Sequence, residues 1–497
     1  MNTAMNGTMM YQPLTVGSLI DHAMHYHAGT EVVSVETTGE VETLNWGQVA
    51  NNARRLAAVL DKLGVALGAR CATIAWNNRR HLEIYYGVAS SGRITHTINP
   101  RLHPEQLVYI VEDADDQVLF FDRTFLPAVA ALKPKLKNIK HFVLMGARDA
   151  EAEAMLDGLQ FYDELLEQVE PLSEWPALDE NSPAALCYTS GTTGNPKGVQ
   201  YTHRSTVLHS LAGNQPDGLA IAARDTVLPV VPMFHVNAWG VPYVAAAVGA
   251  KLVLPGPQLD GDSLVALLND QKVTLALGVP TIWMGLLEAM GRSGKKPESL
   301  ERTVVGGSAL PPSMIREFHD KYGVELIHAW GMTETSPLGT LNQLLQKHEA
   351  LSDEDKARIR QGQGRPPYGV SLRIVDEAGQ ALPHDGKTQG DLQIRGHWIV
   401  ESYFGKGESA LTGDGWFDTG DVATVELENI AIAHPGISNA AAIAARHPKW
   451  DERPVLVVVC EPDAALGEQD VLGFYQGKVA SWQVPDKVVF TDSLPLG

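Results

Sequence analysis

Trp46 to Leu63 shows apolar residues returning every three or four positions, and Gly64 follows directly, so the stretch reads as an amphipathic helix closed by glycine. The short run Cys71-Ala-Thr-Ile-Ala75 reads as a buried strand, and Arg80 to Ser91 as another helix. The alternation continues with Lys251 to Leu254, Thr303 to Val305 and Glu325 to Ile327 as strands, and with Thr281 to Met290 and Pro311 to Tyr322 as helices. Such a pattern predicts an α/β fold of layered, largely parallel sheets. From about Gly369 the pattern changes. Val370 to Val375, the turn Asp376-Glu-Ala-Gly379 and Gly390 to Arg395 read as antiparallel β structure. Beyond Trp416 to Val425, the segments Ile430 to His434, Ala440 to Ala445, Val455 to Cys460 and Val471 to Trp482 suggest a small α+β module. The expected division is therefore a large N-terminal domain over 1–424, with a β-rich subdomain from about 340 to 424, and a small mobile C-terminal domain over 425–497.

Length and charge narrow the class. The 497 residues suggest two to four units at about 100–200 residues each. The 39 Lys and Arg against 59 Asp and Glu give a net charge of −20. An acidic surface of this kind argues against nucleic acid or an anionic membrane as the main partner. It leaves room for small anions, since a few aimed amides and one lysine hold a phosphate locally. Cys71, Cys187 and Cys460 are too far apart for a disulfide framework or a Cys-x-x-Cys site, so a cytoplasmic location is expected. Met1 to Tyr11 has no basic residue and no apolar core, unlike a signal or transit peptide. Thr226 to Ala250 has no Asp, Glu, Lys or Arg and is long enough to cross a bilayer, but Pro229, Pro232, His235, Asn237, Gly240 and Pro242 would leave backbone groups unpaired in lipid; a buried strand, a loop and a short helix fit it better. Asp21 to His27 holds three histidines whose spacing does not put them on one helical face, and a solvated helix accounts for them.

Tyr188-Thr-Ser-Gly-Thr-Thr-Gly-Asn-Pro-Lys-Gly-Val199 carries the strongest chemical signal. It follows the apolar Ala184 to Cys187 and so leaves a strand as a loop. Gly191, Gly194 and Gly198 allow tight turns and close backbone approach. Thr189, Ser190, Thr192 and Thr193 supply hydroxyls, and Lys197 a positive charge, so that the string can surround a polyphosphate. It is not a Walker A loop, because Pro196 precedes the lysine and Gly198 follows it.

This string resembles the phosphate-loop signature of the AMP-forming adenylate family, which includes acyl-CoA synthetases, peptide adenylation domains and beetle luciferases. Pro232-Met-Phe-His-Val236, Val305-Gly-Gly-Ser-Ala309, His328-Ala-Trp-Gly-Met-Thr-Glu334 and Gly415-Trp-Phe-Asp-Thr-Gly-Asp421 are similar to further motifs of that family, in the same order. The likeness spans essentially the whole chain, and is strongest to medium-chain acyl-CoA and methylmercaptopropionate-CoA ligases. It implies an acid–CoA ligase that uses ATP (with AMP or ADP as bound forms), Mg²⁺ and coenzyme A on a small carboxylic acid, in a chain that can form a homodimer.

The chemistry suits these residues, because a carboxylate attacking the α-phosphorus of ATP must overcome anion–anion repulsion by positioning and charge neutralisation. The resemblance implies that Thr189 to Lys197 hold the β and γ phosphates. Thr333 contacts the α-phosphate, and Glu334, with Thr189, holds the metal. Trp330 stacks on adenine where the family has tyrosine. Gly307, Ser308, Ala309, His328, Ala329, Gly331 and Met332 line the nucleotide and acyl cavity, and Asp421 takes the ribose hydroxyls. His235 and Trp239 stand at the mouth of the acyl pocket, with His235 gating the carboxylate. Gly331 is expected to leave the pocket deep, so that a tryptophan there would fill it and spare only acetate or propionate.

The chain also departs from the family pattern. The hinge of a turn, an Asp-Arg pair and a Lys-rich loop is missing between Asp421 and Glu426-Leu-Glu-Asn-Ile430, and Ser493 to Gly497 opens the motif that carries the adenylation lysine without reaching it. Two explanations stand: mobile pieces of a longer chain are missing, which is the favoured one, or the chain is a nucleotide-binding protein without adenylation. An adenylation domain loading a carrier protein lacks support, since no aspartate follows Phe234 and no carrier domain follows. A luciferase-like oxidation is the remaining alternative.

Overall fold

The structure, a computed structural model, describes residues 8–189, 195–308, 310–383, 388–423, 437–447, 451–460, 464, 466–475 and 484–491. Two large sheets dominate it. The eight-stranded sheet runs Leu338–Leu341, Glu325–Gly331, Arg302–Val305, Leu275–Gly278, Thr226–Pro229, Lys251–Leu254, Glu31–Val35, Val41–Asn45. Its inner pairs are parallel and its two margins antiparallel. The seven-stranded sheet runs Leu159–Phe161, His141–Leu144, Asp116–Phe121, Arg70–Ile74, Ile94–Thr97, Pro183–Tyr188, Gly198–Thr202. It is parallel except at the last pair. Strands buried on both faces explain why these segments read as apolar runs rather than alternations.

Two helices pack against each other, the first leading from the eight-stranded sheet to the seven-stranded one and the second joining two strands of the latter. Trp46–Lys62 begins with a capping box, in which the Asn45 side chain accepts from Gln48 N at 2.9 Å and the Gln48 side chain accepts from Asn45 N at 3.0 Å. Arg79–Ser90 is buried from Arg80 onward. A Cβ on Gly87 would lie 2.7 Å from the carbonyl oxygen of Ala53, so only glycine lets the two helices approach this closely. Charges on the buried helix are compensated: Arg80 Nη2 donates to Asp163 at 2.8 Å, and Glu83 accepts from Asn52 at 2.8 Å and Tyr162 at 2.9 Å.

Val370–Val375, Gly390–Gly396 and Phe417–Ala423 form a three-stranded antiparallel sheet, as the change of pattern predicted. Ile437–His447, Asp451–Cys460 and Lys487–Phe490 make another, with the helix Glu468–Tyr475. The stretch Thr226 to Ala250 is a strand, a loop and the short helix Val241–Val248, and no helix among the described residues is long and apolar enough to cross a membrane. Two expectations need correction. Pro311 to Tyr322 is not one α-helix: Pro312–Arg316 passes into a wider π turn over Glu317–Tyr322. The strand from Glu325 does not stop at Ile327 but runs to Gly331, because its pairing with Leu338–Leu341 continues the ladder across a bulge at Trp330 and Gly331. The expected segment Ile430 to His434 and the boundary residue Thr424 lie outside the described residues.

Candidate active site

Three segments carry the expected site residues. The phosphate loop joins two antiparallel strands, Pro183–Tyr188 and Gly198–Thr202, so it is a hairpin rather than a strand-to-helix turn. Its stem is closed by Thr189 N donating to Lys197 O at 3.0 Å and Lys197 N donating to Thr189 Oγ1 at 3.1 Å. Ser190, Gly191, Thr192, Thr193 and Gly194 lie outside the described residues, as does Ala309. The Lys197 side chain is exposed, with Nζ 4.8 Å from the centre of the Tyr403 ring.

The second segment is the end of the strand Glu325–Gly331 and the turn after it. Thr333 and Glu334 are 7% and 6% exposed. Tyr201 Oη donates to Thr333 O at 2.7 Å, and Tyr403 Oη donates to Glu334 Oε1 at 2.7 Å. A buried carboxylate fits Mg²⁺, a hard cation that takes one or two protein oxygens and completes its shell with water and phosphate. Trp330 lies against Gly339, where any Cβ would collide with the indole, and its Nε1 donates to Asp421 Oδ2 at 3.1 Å. The residues expected to face adenine and ribose are thus in direct contact. His328, 1% exposed, has its ring nitrogen Nδ1 at 3.0 Å from Gln361 O, and burial pushes its pKa down. It is buried in the strand and does not border the apolar cavity. Gly307 adopts φ +85°, a left-handed conformation natural to glycine, and Ser308 beside it is exposed.

The third segment is His235 to Gly240. Val236, Asn237, Ala238 and Trp239 all have φ between +45° and +56°, a left-handed turn of four non-glycine residues, before Gly240 at +76°. Each such residue costs about 1–2 kcal/mol, so the surroundings must hold the turn in place. Cys187 Sγ and Thr97 Oγ1 meet the Asn237 side chain at 3.6 and 3.4 Å. The turn lays the Trp239 indole over Gly306, where a Cβ would come within 3.1 Å of the ring. His235 opens onto the cavity, and desolvation pushes its pKa below the ordinary histidine value.

Beside the second and third segments lies an apolar cavity of about 630 Å³ counted to its open mouth. His235, Trp239, Gly307, Ala329, Trp330, Gly331 and Met332 all border it, which brings the expected pocket residues together. Its deeper wall adds residues that no motif marks: His209, Leu219, Val244, Val304, Leu338 and Leu341. Only the helical or strand periodicity of their own segments could have flagged them as buried. One expectation fails. Gly331 borders the cavity with its backbone, but a Cβ built on it would collide with the carbonyl oxygen of Pro337. The bulge turns that position toward the neighbouring strand, so a tryptophan at 331 would have to displace Ser336 to Leu338 before it could fill the pocket.

The family profile for AMP-binding enzymes matches residues 20–404, and that for the AMP-binding enzyme C-terminal domain matches 426–496. The 3-methylmercaptopropionyl-CoA ligase of Ruegeria lacuscaerulensis is 57% identical, over 99% of this chain and 96% of its own. The medium-chain-fatty-acid–CoA ligase of Ectopseudomonas oleovorans is 53% identical, over 99% and 95%. Among solved structures, a benzoate CoA ligase from Burkholderia xenovorans superposes with a TM-score of 0.80 at 21% identity, covering 97% of each chain. An anthranilate CoA ligase in complex with anthranoyl-AMP gives 0.81 at 21% identity, over 99% of this chain and 96% of that one, and both likenesses bear on the fold. With profiles matching along most of its length and relatives more than half identical over nearly all of it, the chain belongs to the AMP-binding enzyme family, as an AMP-forming acid–CoA ligase.

Proposed function

We propose that the chain ligates short- and medium-chain carboxylic acids, 3-(methylthio)propionate among them, to coenzyme A. In the first half-reaction a substrate carboxylate oxygen attacks the α-phosphorus of ATP, forming acyl-AMP and releasing pyrophosphate. In the second, the thiol sulfur of coenzyme A attacks the acyl carbon, AMP leaves, and the thiol proton passes to solvent. The carrying observation is that a charged end, with Lys197 and Glu334, meets an apolar cavity through Trp330 to Met332. Lys197 neutralises phosphate charge, the Thr333 hydroxyl orients the α-phosphate, and Glu334 with Thr189 supplies oxygens for Mg²⁺. When bound, that ion offsets phosphate charge as the pyrophosphate departs. Asp421 accepts from the ribose hydroxyls and Trp330 stacks on adenine. His235, whose pKa desolvation lowers, lines the carboxylate's entrance. The relatives named for 3-methylmercaptopropionate and for medium-chain acids support the substrate range.

The same reading places one domain over 1–424 and a second over 425–497, a cytoplasmic location and a homodimer, the last tested by light scattering. The test of function is a coenzyme A ligation screen over short, medium, branched, aromatic and methylthio acids, together with isotope exchange between pyrophosphate and ATP. Pyrophosphate exchange that requires the acid, and a preference for unbranched acids of four to six heavy atoms, is the expected result. Nucleotide binding without exchange would replace this reading with that of a binding protein.

A further inference from the structure

Lys197 and Glu334 carry opposite charges at the same end of the site, yet among the described residues no ion pair joins them. Tyr403 touches both. Its ring centre lies 4.8 Å from Lys197 Nζ, and its hydroxyl donates to Glu334 Oε1 at 2.7 Å. The segment that carries it is fastened to both sides by its backbone: Val400 N donates to Glu334 O at 2.9 Å, and Phe404 N donates to Gly198 O at 2.8 Å. Gly198 follows Lys197 directly, and a Cβ on it would come within 3.0 Å of Phe404 Cβ, so the strap and the loop stem are in close contact.

We propose that Tyr403 is a positioning residue that holds Lys197 and Glu334 apart and aimed, so that the lysine stays free for phosphate and the carboxylate for the divalent cation. The proposal rests on the assignment of Lys197 and Glu334 to phosphate and metal given above. The physical reason is competition. A lysine and a carboxylate free to pair would neutralise each other, and binding MgATP would first have to break that pair. A phenol between them meets each in a different way. Its ring face attracts the ammonium only weakly at an exposed site, so phosphate displaces it. Its hydroxyl occupies one carboxylate oxygen and fixes the rotamer, leaving the second oxygen for a metal. Outer partners that orient a metal-binding carboxylate in this way typically change metal affinity 10- to 100-fold when removed.

The test compares Tyr403→Phe, Tyr403→Leu and Glu334→Gln in the full chain. Mn²⁺ binding is read by electron paramagnetic resonance in the presence of α,β-methylene-ATP, alongside thermal melting and the Mg²⁺ dependence of pyrophosphate–ATP exchange. Tyr403→Phe keeps the ring and loses the hydroxyl. It should weaken Mn²⁺ binding about 10-fold and raise half-saturating Mg²⁺ similarly, with kcat at saturating Mg²⁺ within about threefold of wild type. Tyr403→Leu should additionally raise KM for ATP by about two- to fivefold, because the freed ammonium can then pair with Glu334 and MgATP must break that pair to bind. A purely structural role would lower the melting temperature and the amount of active protein without shifting the metal dependence. If Tyr403→Phe binds Mn²⁺ as wild type while Glu334→Gln does not, the positioning role falls and the metal assignment stands. If Glu334→Gln also binds Mn²⁺ as wild type, the metal assignment itself falls, and the proposal with it.

Discussion

Met332 and Glu334 are two residues apart in the chain, yet one borders an apolar cavity and the other is a buried carboxylate held by a tyrosine hydroxyl. The two ends of the site are built differently. At the charged end, a few polar groups come from turns and loop stems, and each has a named partner: Lys197 the Tyr403 ring, Glu334 the Tyr403 hydroxyl, Asp421 the Trp330 indole. At the apolar end, many weak contacts come from strands and helices far apart in sequence, from His209 to Leu341. Loss of a single group should therefore be severe at the charged end and graded at the apolar end, where affinity accumulates by area.

The largest effect is expected at Lys197. Lys197→Ala removes the exposed cation of the loop stem and should lower adenylation by about 10²-fold or more, with circular dichroism unchanged. Pyrophosphate exchange at the wild-type rate would end the contrast between the two ends. Next comes Gly331→Trp. Because a side chain there meets the Pro337 carbonyl rather than empty cavity, activity should fall by more than about 10-fold on acetate and longer acids alike, as is usual for overpacking a built site. Selective sparing of acetate would show that the position faces the acyl chain after all.

Asp421→Ala should show an intermediate effect. Loss of a charged acceptor for ribose hydroxyls should reduce the preference for ATP over 2′-deoxy-ATP by about 10-fold. An unchanged preference in kcat/KM would remove Asp421 from ribose recognition. At the apolar end, each methylene added from acetate to hexanoate should gain about 0.8 kcal/mol, close to fourfold in kcat/KM, until the cavity is filled. A flat series would mean that the cavity does not hold the chain.

The smallest effect concerns His209, which the apolar end keeps neutral. Leu338 N donates to His209 Nε2 at 3.3 Å, and burial pushes the ring's pKa down to about 4 from 6.5. An unfolded chain takes up that proton below pH 6.5 while the folded one does not, so the stability tied to His209 is present above pH 6.5 and is lost as pH falls toward 4. His209→Gln should therefore lose less stability on acidification than wild type, by at most about 1.4 kcal/mol per pH unit across that window. Denaturant unfolding at pH 7, 6 and 5 measures it, and parallel pH profiles would show that His209 does not titrate in this way.

Much was determined by the sequence alone. The loop Thr189 to Lys197, the run His328 to Glu334 and the motif ending at Asp421 are contiguous, and their chemistry depends on residue types that few other roles combine, so they were legible without coordinates. The same holds for the helix Trp46–Lys62, whose period and cap are local properties. Tertiary structure alone decided the rest. Tyr403 lies 69 residues from Glu334 and 206 from Lys197, and nothing in its own neighbourhood says that it reaches both. The cavity wall is assembled from segments that share no pattern except being apolar, which burial anywhere would also require. Gly331 shows the limit most directly. Its identity marks an absent side chain, but the direction in which that side chain would have pointed was set by a bulge in pairing with Leu338–Leu341, and pairing is a property of two strands.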